Sequence, residues 1–281
     1  MQNLIKLVLT LACFSAFTAN AYAGEVITRM SDRQAISFSQ MMADTERSGV
    51  ILVAETHDNK KHHEMQHAVI RALWEKKMPL AIGVEMFQMD NQRQLDDWVE
   101  GRMTEENFEV VYARNWSYDW SLYRDIFIFA RDNHIPMIAL NIPKEIIFKV
   151  ARQGFVSLSP EEREKIPSGV TGNLNRPQTD FLKNTFQSVF KREASGKIFA
   201  SFCEAQAVRN SGMALTITDD RKKHPGRKLV VLAGTWHAVK HGIPDNFVSI
   251  NSQDYTVILP DIPELGIKSI TSAIADYLIE W

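Results

Sequence analysis

Cysteine is nearly absent from this 281-residue chain, which contains only Cys13 and Cys203. Cys13 falls in an N-terminal segment that we expect to be removed, and Cys203 alone cannot form an internal disulfide. Stability must therefore come from a packed core, for which the length and the 45% hydrophobic content are sufficient.

Signatures of several common functions are also missing. The chain has no GxGxxG or Walker phosphate loop and no GxSxG elbow, so nothing supports a nucleotide-binding or serine-hydrolase function. The formal net charge is −2 and no lysine-arginine run is longer than three residues, so the sequence gives no reason to expect nucleic acid as a partner. No repeat or low-complexity segment occurs.

The first 23 residues differ from the rest of the chain. The segment MQNLIKLVLTLACFSAFTANAYA has a lysine near its start, an apolar centre and the small-residue ending Ala-Tyr-Ala. It predicts a secretory signal peptide over residues 1–23 and a mature chain that begins at Gly24. A lipoprotein alternative through Cys13 is weak because Thr10 stands where a lipobox has leucine. We therefore expect an exported protein that is periplasmic or membrane-associated facing the periplasm.

Short apolar runs alternate with longer helical patterns in the remaining chain. This alternation predicts an α/β fold with a mainly parallel central sheet flanked by helices. The predicted strands are 49–55, 79–87, 135–141, 228–234 and 255–260, and the predicted helices are 62–77, 121–134 and 183–220, with a break expected at Gly196. Prolines between 150 and 180 predict a small helical subdomain, about 150–190, inserted into one domain over 24–281.

Polar residues follow four of the predicted strands. The first strand is followed by Glu55 and His57, the second closes with Glu85, the third with Asn141, and the fourth is followed by Gly234 to His237. Ligands of open α/β sheets bind at the carboxyl ends of the strands. We therefore predict that Glu55, His57, Glu85 and His237 converge at one edge of the sheet.

Such a cluster has more than one interpretation. Its imidazoles and carboxylates could hold a divalent metal such as zinc or manganese, or activate water in a hydrolase. The structural alternative is that strand ends need polar groups for the loop backbone and that Glu85 forms a salt bridge.

The helix after the first strand carries three more histidines, and other candidates lie elsewhere. We expect His63 to face inward toward His57, and His62 and His67 to lie on the solvated surface. Glu204 lies within an otherwise apolar helix and would need a partner if buried, which makes it a site candidate. The aromatic residues Trp116, Tyr118, Trp120 and Tyr123 could line a flat ligand, although core packing is the commoner use of aromatics.

As a set, five motifs resemble the ChaN-like haem-binding proteins, whose superfamily also holds TIKI-type metallopeptidases and erythromycin esterases. The motifs are AETHDNKKHHEMQ, VEMF, WSLYRDIFIFARDNHIPMIALNIPKE, CEAQAVRNSGMA and LAGTWHAVKHGIP, in the family's order and spacing. The resemblance implies an exported protein that binds haem in haem or iron uptake. Its partner would be an outer-membrane or periplasmic uptake system, and a homodimer stays open. Carried over by position, the polar cluster is Glu55, His57, His63, Glu85, Glu204 and His237.

Two positions depart from the family's pattern. Ala54 stands where the family usually has glycine, and the last motif is shorter, with Lys240 in place of a tyrosine. Haem iron accepts histidine, methionine or tyrosine as an axial ligand. We predict that His241 is the ligand in preference to Tyr123. The competing prediction is a metal-dependent hydrolase, peptidase or esterase-like, that uses the Glu/His cluster.

Overall fold

The fold is that of a computed structural model, which describes residues 25–190, 193–247, 249–252, 254–262 and 269–281. Its strands are β1 Val26–Arg29, β2 Gln34–Ile36, β3 Val50–Glu55, β4 Leu80–Gln88, β5 Met137–Asn141, β6 Lys228–Gly234, β7 Tyr255–Pro260 and β8 Tyr277–Glu280. They form one sheet in the order β2-β1-β8-β7-β3-β6-β4-β5. The six strands from β8 to β5 are parallel, and β1 and β2 extend the sheet in antiparallel pairing.

Helices cover both faces of this sheet. They are α1 Phe38–Asp44, α2 Lys60–Glu75, α3 Gln92–Val99, α4 Glu105–Asn115, α5 Trp120–Asp132, α6 Lys144–Gln153, α7 Pro160–Glu164, α8 Arg176–Phe190, α9 Gly196–Lys223 and the one-turn α10 Thr235–Ala238. Every residue of β3 and β4 is buried. Successive side chains of a strand point to opposite faces, so a strand covered on both sides must be apolar throughout.

Two apolar clusters lie on the two faces of the sheet and a third lies outside it. Ile51 and Val53 of β3 belong to the cluster that includes α2 and α5. Leu52 and Ala54 belong to the opposite cluster, which includes α9. The third cluster packs α6 against the segment around 158–166 and against Val208 of α9. Val150, Leu158 and Ile166 of the predicted insertion over 150–190 belong to this cluster, which also includes residues outside that range.

The sequence predictions agree with this architecture in outline. The five predicted strands are all present, with ends that differ by at most two residues, and the long C-terminal helix begins at Gly196 where a break was expected. The strands β1, β2 and β8 were not predicted. The predicted signal peptide lies outside the described residues. Within the described part of the chain, no helix has both the length and the apolarity needed to cross a membrane.

Candidate functional site

A cavity of about 370 Å³ opens at the carboxyl ends of the adjacent strands β3, β6 and β4. Glu55, His57, Glu85 and His237 all contribute to its wall, so the structure brings the four predicted residues together. The other lining residues are Thr56, Asp58, Tyr118, Gln206, Arg209, Gly234, Thr235, Trp236 and Ile262. The volume is at the low end of the range of roughly 300–1,000 Å³ that is typical of small-ligand sites.

Glu55, the last residue of β3, is the centre of a buried hydrogen-bond network. One carboxylate oxygen accepts from His57 Nδ1 at 2.7 Å and from the Tyr123 hydroxyl at 2.5 Å. The other accepts from the Gln66 amide at 2.7 Å and lies 3.2 Å from His63 Nδ1. A carboxylate offers about four acceptor positions, and Glu55 is saturated in the sense that three hydrogen bonds and the ion pair with His63 surround it; the His63 Nδ1 also lies 3.2 Å from the Gln66 side-chain oxygen.

The network fixes the charges of its members. Burial alone would raise the pKa of Glu55, but the hydrogen bonds from His57 and His63 outweigh it and hold the pKa well below its usual range. Burial would likewise lower the pKa of His57 and of His63, but their hydrogen bonds to Glu55 raise both above the ordinary value. The arrangement is therefore an anionic carboxylate between two imidazoles that favour the charged form.

The orientation of His57 follows from its bond to Glu55. Because Nδ1 donates to the carboxylate, Nε2 is the ring nitrogen left for the cavity. The ring lies edge-on to Trp116 at 4.9 Å and beside Tyr118 at 5.0 Å, measured between ring centroids. A Cβ added at Gly234 would lie 2.6 Å from His57 Cε1, so only glycine leaves room for the ring.

Glu85 and His237 form the second half of the site and are bonded more sparsely. Glu85 accepts from the Gly234 backbone N–H at 2.7 Å, and its other oxygen lies 3.5 Å from His237 Nε2. His237 Nδ1 lies 2.6 Å from the Asn210 side-chain oxygen, to which it can donate. Burial lowers the pKa of His237 to about 4, so the ring is neutral at physiological pH.

Two side chains of α9 complete the wall beside Glu85. Gln206 and Arg209 both line the cavity. The Gln206 side-chain oxygen is buried and has no hydrogen-bond partner among the described residues. The CEAQAVRN segment contained these residues, but nothing in the sequence singled out Arg209 or Asn210, because only the packing of α9 against the sheet edge gives them a role.

The prediction that His62 lies on the solvated surface is wrong. His62 is 2% exposed, its Nδ1 accepts from the Thr56 backbone N–H at 2.9 Å, and its ring stacks on Trp281 at 5.2 Å. The same prediction for His67 is wrong in part, since that ring is half-buried edge-on to Phe129. His63 faces inward as predicted, with Nε2 3.2 Å from the His57 carbonyl oxygen.

Besides the buried His63, three predicted site residues lie away from the cavity wall. His241 is partly exposed in the loop after α10, with Nδ1 3.4 Å from Asp245. Tyr123 is fully buried beneath His57. Glu204 accepts from the Phe155 backbone N–H at 2.8 Å and fills the space beside Gly172, so it holds the turn after α6.

The four aromatic candidates divide between core and cavity. Trp120 and Tyr123 belong to the apolar core on the α5 face of the sheet. Trp116 packs against that core and touches His57. Tyr118 is 38% exposed and lines the cavity, so it is the member of the set that a ligand can reach.

The donors of the cavity wall do not meet the requirements of a metal site. Across the described residues, no group of three or more His, Cys, Asp or Glu side chains is arranged to hold a metal ion. The saturated bonding of Glu55 agrees with this, because its oxygens are already committed to four neighbours.

Residues 41–247, most of the chain, match the family described as haem-binding uptake, Tiki superfamily, ChaN. The fold is similar to that in the solved structure "Cofacial heme binding to ChaN of Campylobacter jejuni", with a TM-score of 0.71, 19% identity, and coverage of 91% of this chain and 96% of that one. A mutant of the erythromycin esterase EreC in its open conformation has a TM-score of 0.50 and 14% identity, with 84% and 76% of the chains covered. At these identities both likenesses show the fold alone.

A weaker match is to a curated protein of Arabidopsis thaliana, the chloroplastic protein RETICULATA-RELATED 5. It is 30% identical over 91 residues, which are 32% of this chain and 12% of that protein. The matched stretch is thus a small part of the relative's length.

Proposed function

Since the chain belongs to the ChaN family of haem-binding uptake proteins, we propose that it binds haem at the sheet-edge cavity and acts in haem or iron uptake after export. One observation supports the location above the others. The cavity wall combines the aromatic side chains of Tyr118 and Trp236 with the cation of Arg209, as a flat apolar ligand with acidic side chains requires.

The cavity of about 370 Å³ is open and small. It can accept one edge of a porphyrin and is too small to enclose the whole ring. A haem held by one edge leaves macrocycle exposed. ChaN of Campylobacter jejuni, whose fold this chain shares, binds haem cofacially. We propose a similar arrangement here, in which two copies of this chain form a homodimer and stack their haems against each other.

An absorption titration tests the function. Purified mature protein is titrated with haemin, and in parallel with zinc and manganese, beside an unrelated protein of similar size. We expect a saturable Soret shift with haemin and no saturable binding of either metal. Haemin binding no stronger than that of the unrelated protein would refute the haem function. If the haems stack cofacially, the mass measured by sedimentation should double as the molar ratio of haem to protein approaches one.

We propose His241 as the axial ligand in preference to Tyr123. Because His241 does not line the cavity, this assignment requires the exposed part of the macrocycle to extend from the cavity to the loop after α10. The imidazole of His241 is partly exposed, whereas the Tyr123 hydroxyl is buried and donates to Glu55. His241→Ala should shift the Soret band and weaken haem retention, while the exposed His224→Ala should do neither. Tyr118→Phe is the third variant, because that hydroxyl lines the cavity. A spectrum altered by Tyr118→Phe or Tyr123→Phe but unchanged by His241→Ala would overturn the His241 assignment and leave haem binding intact.

A hydrolase is the second candidate, and the orientation of His57 supports it. Its Nδ1 is held by a buried carboxylate and its Nε2 is left for the cavity, where the ring can donate a proton in its charged form and accept one in its neutral form. The metal-dependent form has no support from the donor geometry of the described residues, so the test uses metal-free protein. Activity on a panel of esters, lactones and peptides that disappears in His57→Gln would establish it. A panel without turnover would exclude this candidate for those substrate classes.

Export is proposed from the sequence. Intact-mass measurement of protein from the periplasmic fraction should give a chain that begins at Gly24. A mass that includes residues 1–23, or an acylated Cys13, would contradict the predicted cleavage.

A further inference from the structure

The guanidinium of Arg209 is a cationic group of the cavity wall to which the described part of the chain provides no hydrogen bond or ion pair. It lies on α9 and is partly exposed on the cavity side, and burial of the rest of the side chain lowers its pKa while the charge of Glu85 opposes the shift. A partly buried arginine stays protonated, and a buried charge without a partner is costly. An arginine in this state is expected to bind a ligand that supplies the missing negative charge.

Gln206 lies one turn before Arg209 on the same face of α9, since residues three apart in a helix are neighbours. It is 9% exposed, and its side-chain oxygen is buried without a partner among the described residues. A primary amide offers both a donor and an acceptor. Two adjacent polar side chains with unmet bonding capacity thus face the same cavity.

The guanidinium of Arg209 favours an anionic group directly beside it, while the acids Glu55, Asp58 and Glu85 line other parts of the same cavity. Lys144, which begins α6, has its pKa lowered first by burial and then by the charge of Arg209, so a second cation lies close by. Glu85, the acid whose charge acts on Arg209, already accepts from the Gly234 N–H and is not within ion-pair distance of the guanidinium. The planar fork of a guanidinium matches the two oxygens of a carboxylate.

We propose that Arg209, assisted by Gln206, anchors a carboxylate of the ligand that enters the sheet-edge cavity. The proposal deepens the haem function and rests on it for the identity of the ligand: in haem the carboxylate is a propionate. The acidic edge of the ligand then points toward α9, and its apolar part lies along Tyr118 and Trp236. A small organic acid would bind Arg209 by the same chemistry, and the test separates these two sources.

The first measurement is the thermal unfolding of the ligand-free protein. Arg209→Gln removes a partly buried charge that has no ion pair among the described residues, so this variant should unfold at the same temperature as wild type or higher. The matched control is Arg71→Gln, which removes an exposed arginine paired with Glu75 on α2. A marked loss of stability in Arg209→Gln alone would mean that Arg209 serves the fold, and it would overturn the proposal.

The second measurement compares haemin with haemin dimethyl ester, which lacks free carboxylates, both presented in the same detergent. Binding is followed by quenching of tryptophan fluorescence in wild type, Arg209→Gln, Arg209→Lys and Arg71→Gln. Loss of a charge-assisted pair should weaken haemin binding by about 10- to 100-fold in Arg209→Gln, with partial recovery in Arg209→Lys. The dimethyl ester should bind wild type and Arg209→Gln equally. Equal haemin affinities in wild type and Arg209→Gln would refute the anchor while the haem function stands.

A third arm separates the anchor from the haem function. If wild type does not bind haemin, the proposed function fails, and the anchor is tested with sodium propionate and with inorganic phosphate at millimolar concentration. A rise in the unfolding temperature of wild type with propionate that is absent in Arg209→Gln would support the carboxylate anchor with an organic acid as the ligand. A rise with phosphate alone would contradict the carboxylate. No difference between the two proteins with any of these ligands would remove the anchor as well.

Discussion

The two buried glutamates of the site differ in how completely they are bonded. Glu55 is approached by four donor groups, from His57, Tyr123, Gln66 and His63. Glu85 accepts one close hydrogen bond, from the backbone of Gly234, and meets His237 at 3.5 Å. Both carboxylates are 1% exposed, so burial does not explain the difference.

The difference divides the cavity into a part that holds other side chains in place and a part that can contact a ligand. A saturated network is rigid and has no bonding capacity left for a ligand. Around Glu85, by contrast, Gln206 and Arg209 keep hydrogen-bonding capacity that the described residues do not use. We infer that the Glu55 side positions His57 and that the Glu85 side meets the ligand. Substitutions on the two sides test this comparison.

The largest expected effect is that of Glu55→Gln. The amide keeps the shape of the side chain but leaves two imidazoles that favour the charged form without their anion. Breaking a buried ion pair in this way typically costs about 3–5 kcal/mol, so we expect a loss near the lower figure in the free energy of unfolding. Denaturant unfolding at pH 7 measures it.

Glu85→Gln is the matched change on the other side. It should cost about 1 kcal/mol, because one backbone hydrogen bond is weakened and the neighbouring His237 is neutral. Equal losses in the two variants would show that the two carboxylates do the same structural work, and the division of the site would have to be abandoned.

Tyr123→Phe should have the next largest effect. Its hydroxyl donates to Glu55 in the core, and removal of a hydrogen bond to a buried charge costs about 1.5–3 kcal/mol. Tyr118→Phe is the control, since that ring is 38% exposed and lines the cavity, where a ligand can reach it. Denaturant unfolding should separate the two. A stability loss in Tyr118→Phe as large as in Tyr123→Phe would contradict the assignment of Tyr118 to the ligand side.

Much of this arrangement could be predicted from the sequence. Apolar runs give the parallel strands, and Glu55, His57, Glu85 and His237 directly close or follow such runs. Their convergence is therefore a consequence of topology, because parallel strands end at one edge. The same reasoning could not find β1, β2 and β8, which are short and include a pairing between the two ends of the described chain, Val26 with Glu280.

Two placements share one physical origin. Local helix periodicity predicts His62 at the surface, which is wrong because the ring is covered by Trp281 from the far end of the chain. Glu204 is predicted to need a partner because it is polar in an apolar helix, and that partner is the backbone of Phe155, while its part in ligand binding stays a prediction. Local patterns show that such a residue needs a partner and do not show which partner it has.

Gly234→Ala tests the contact that joins the two halves of the site. An added Cβ would lie 2.6 Å from His57 Cε1 and 3.5 Å from the Glu85 carboxylate, so the imidazole must move. Overpacking of this kind costs about 1–3 kcal/mol, and we expect a value near the lower figure because the ring faces an open cavity. Gly226→Ala, where an added Cβ meets nothing within 4 Å, is the matched control. Equal unfolding free energies for the two variants would mean that His57 is held less firmly than its bond to Glu55 suggests.

The smallest effect is a pH dependence that should have opposite signs at neighbouring histidines. Burial lowers the pKa of His62 to about 4, so its contribution to stability is present above the unfolded value near 6.5 and is lost as the pH falls toward 4. The hydrogen bond to Glu55 raises the pKa of His63, so its contribution is present below 6.5 and is lost as the pH rises.

When the pH falls from 7 to 6, His62→Gln should therefore lose less unfolding free energy than wild type, by up to about 1 kcal/mol, and His63→Gln should lose more. His237, whose pKa is also about 4, contributes the same background slope to all three proteins. Denaturant unfolding at pH 6, 6.5 and 7 measures the three slopes. If both variants flattened the dependence, His63 would not be held in its charged form by Glu55, and the saturated side of the site would lack the charge pair on which its rigidity depends.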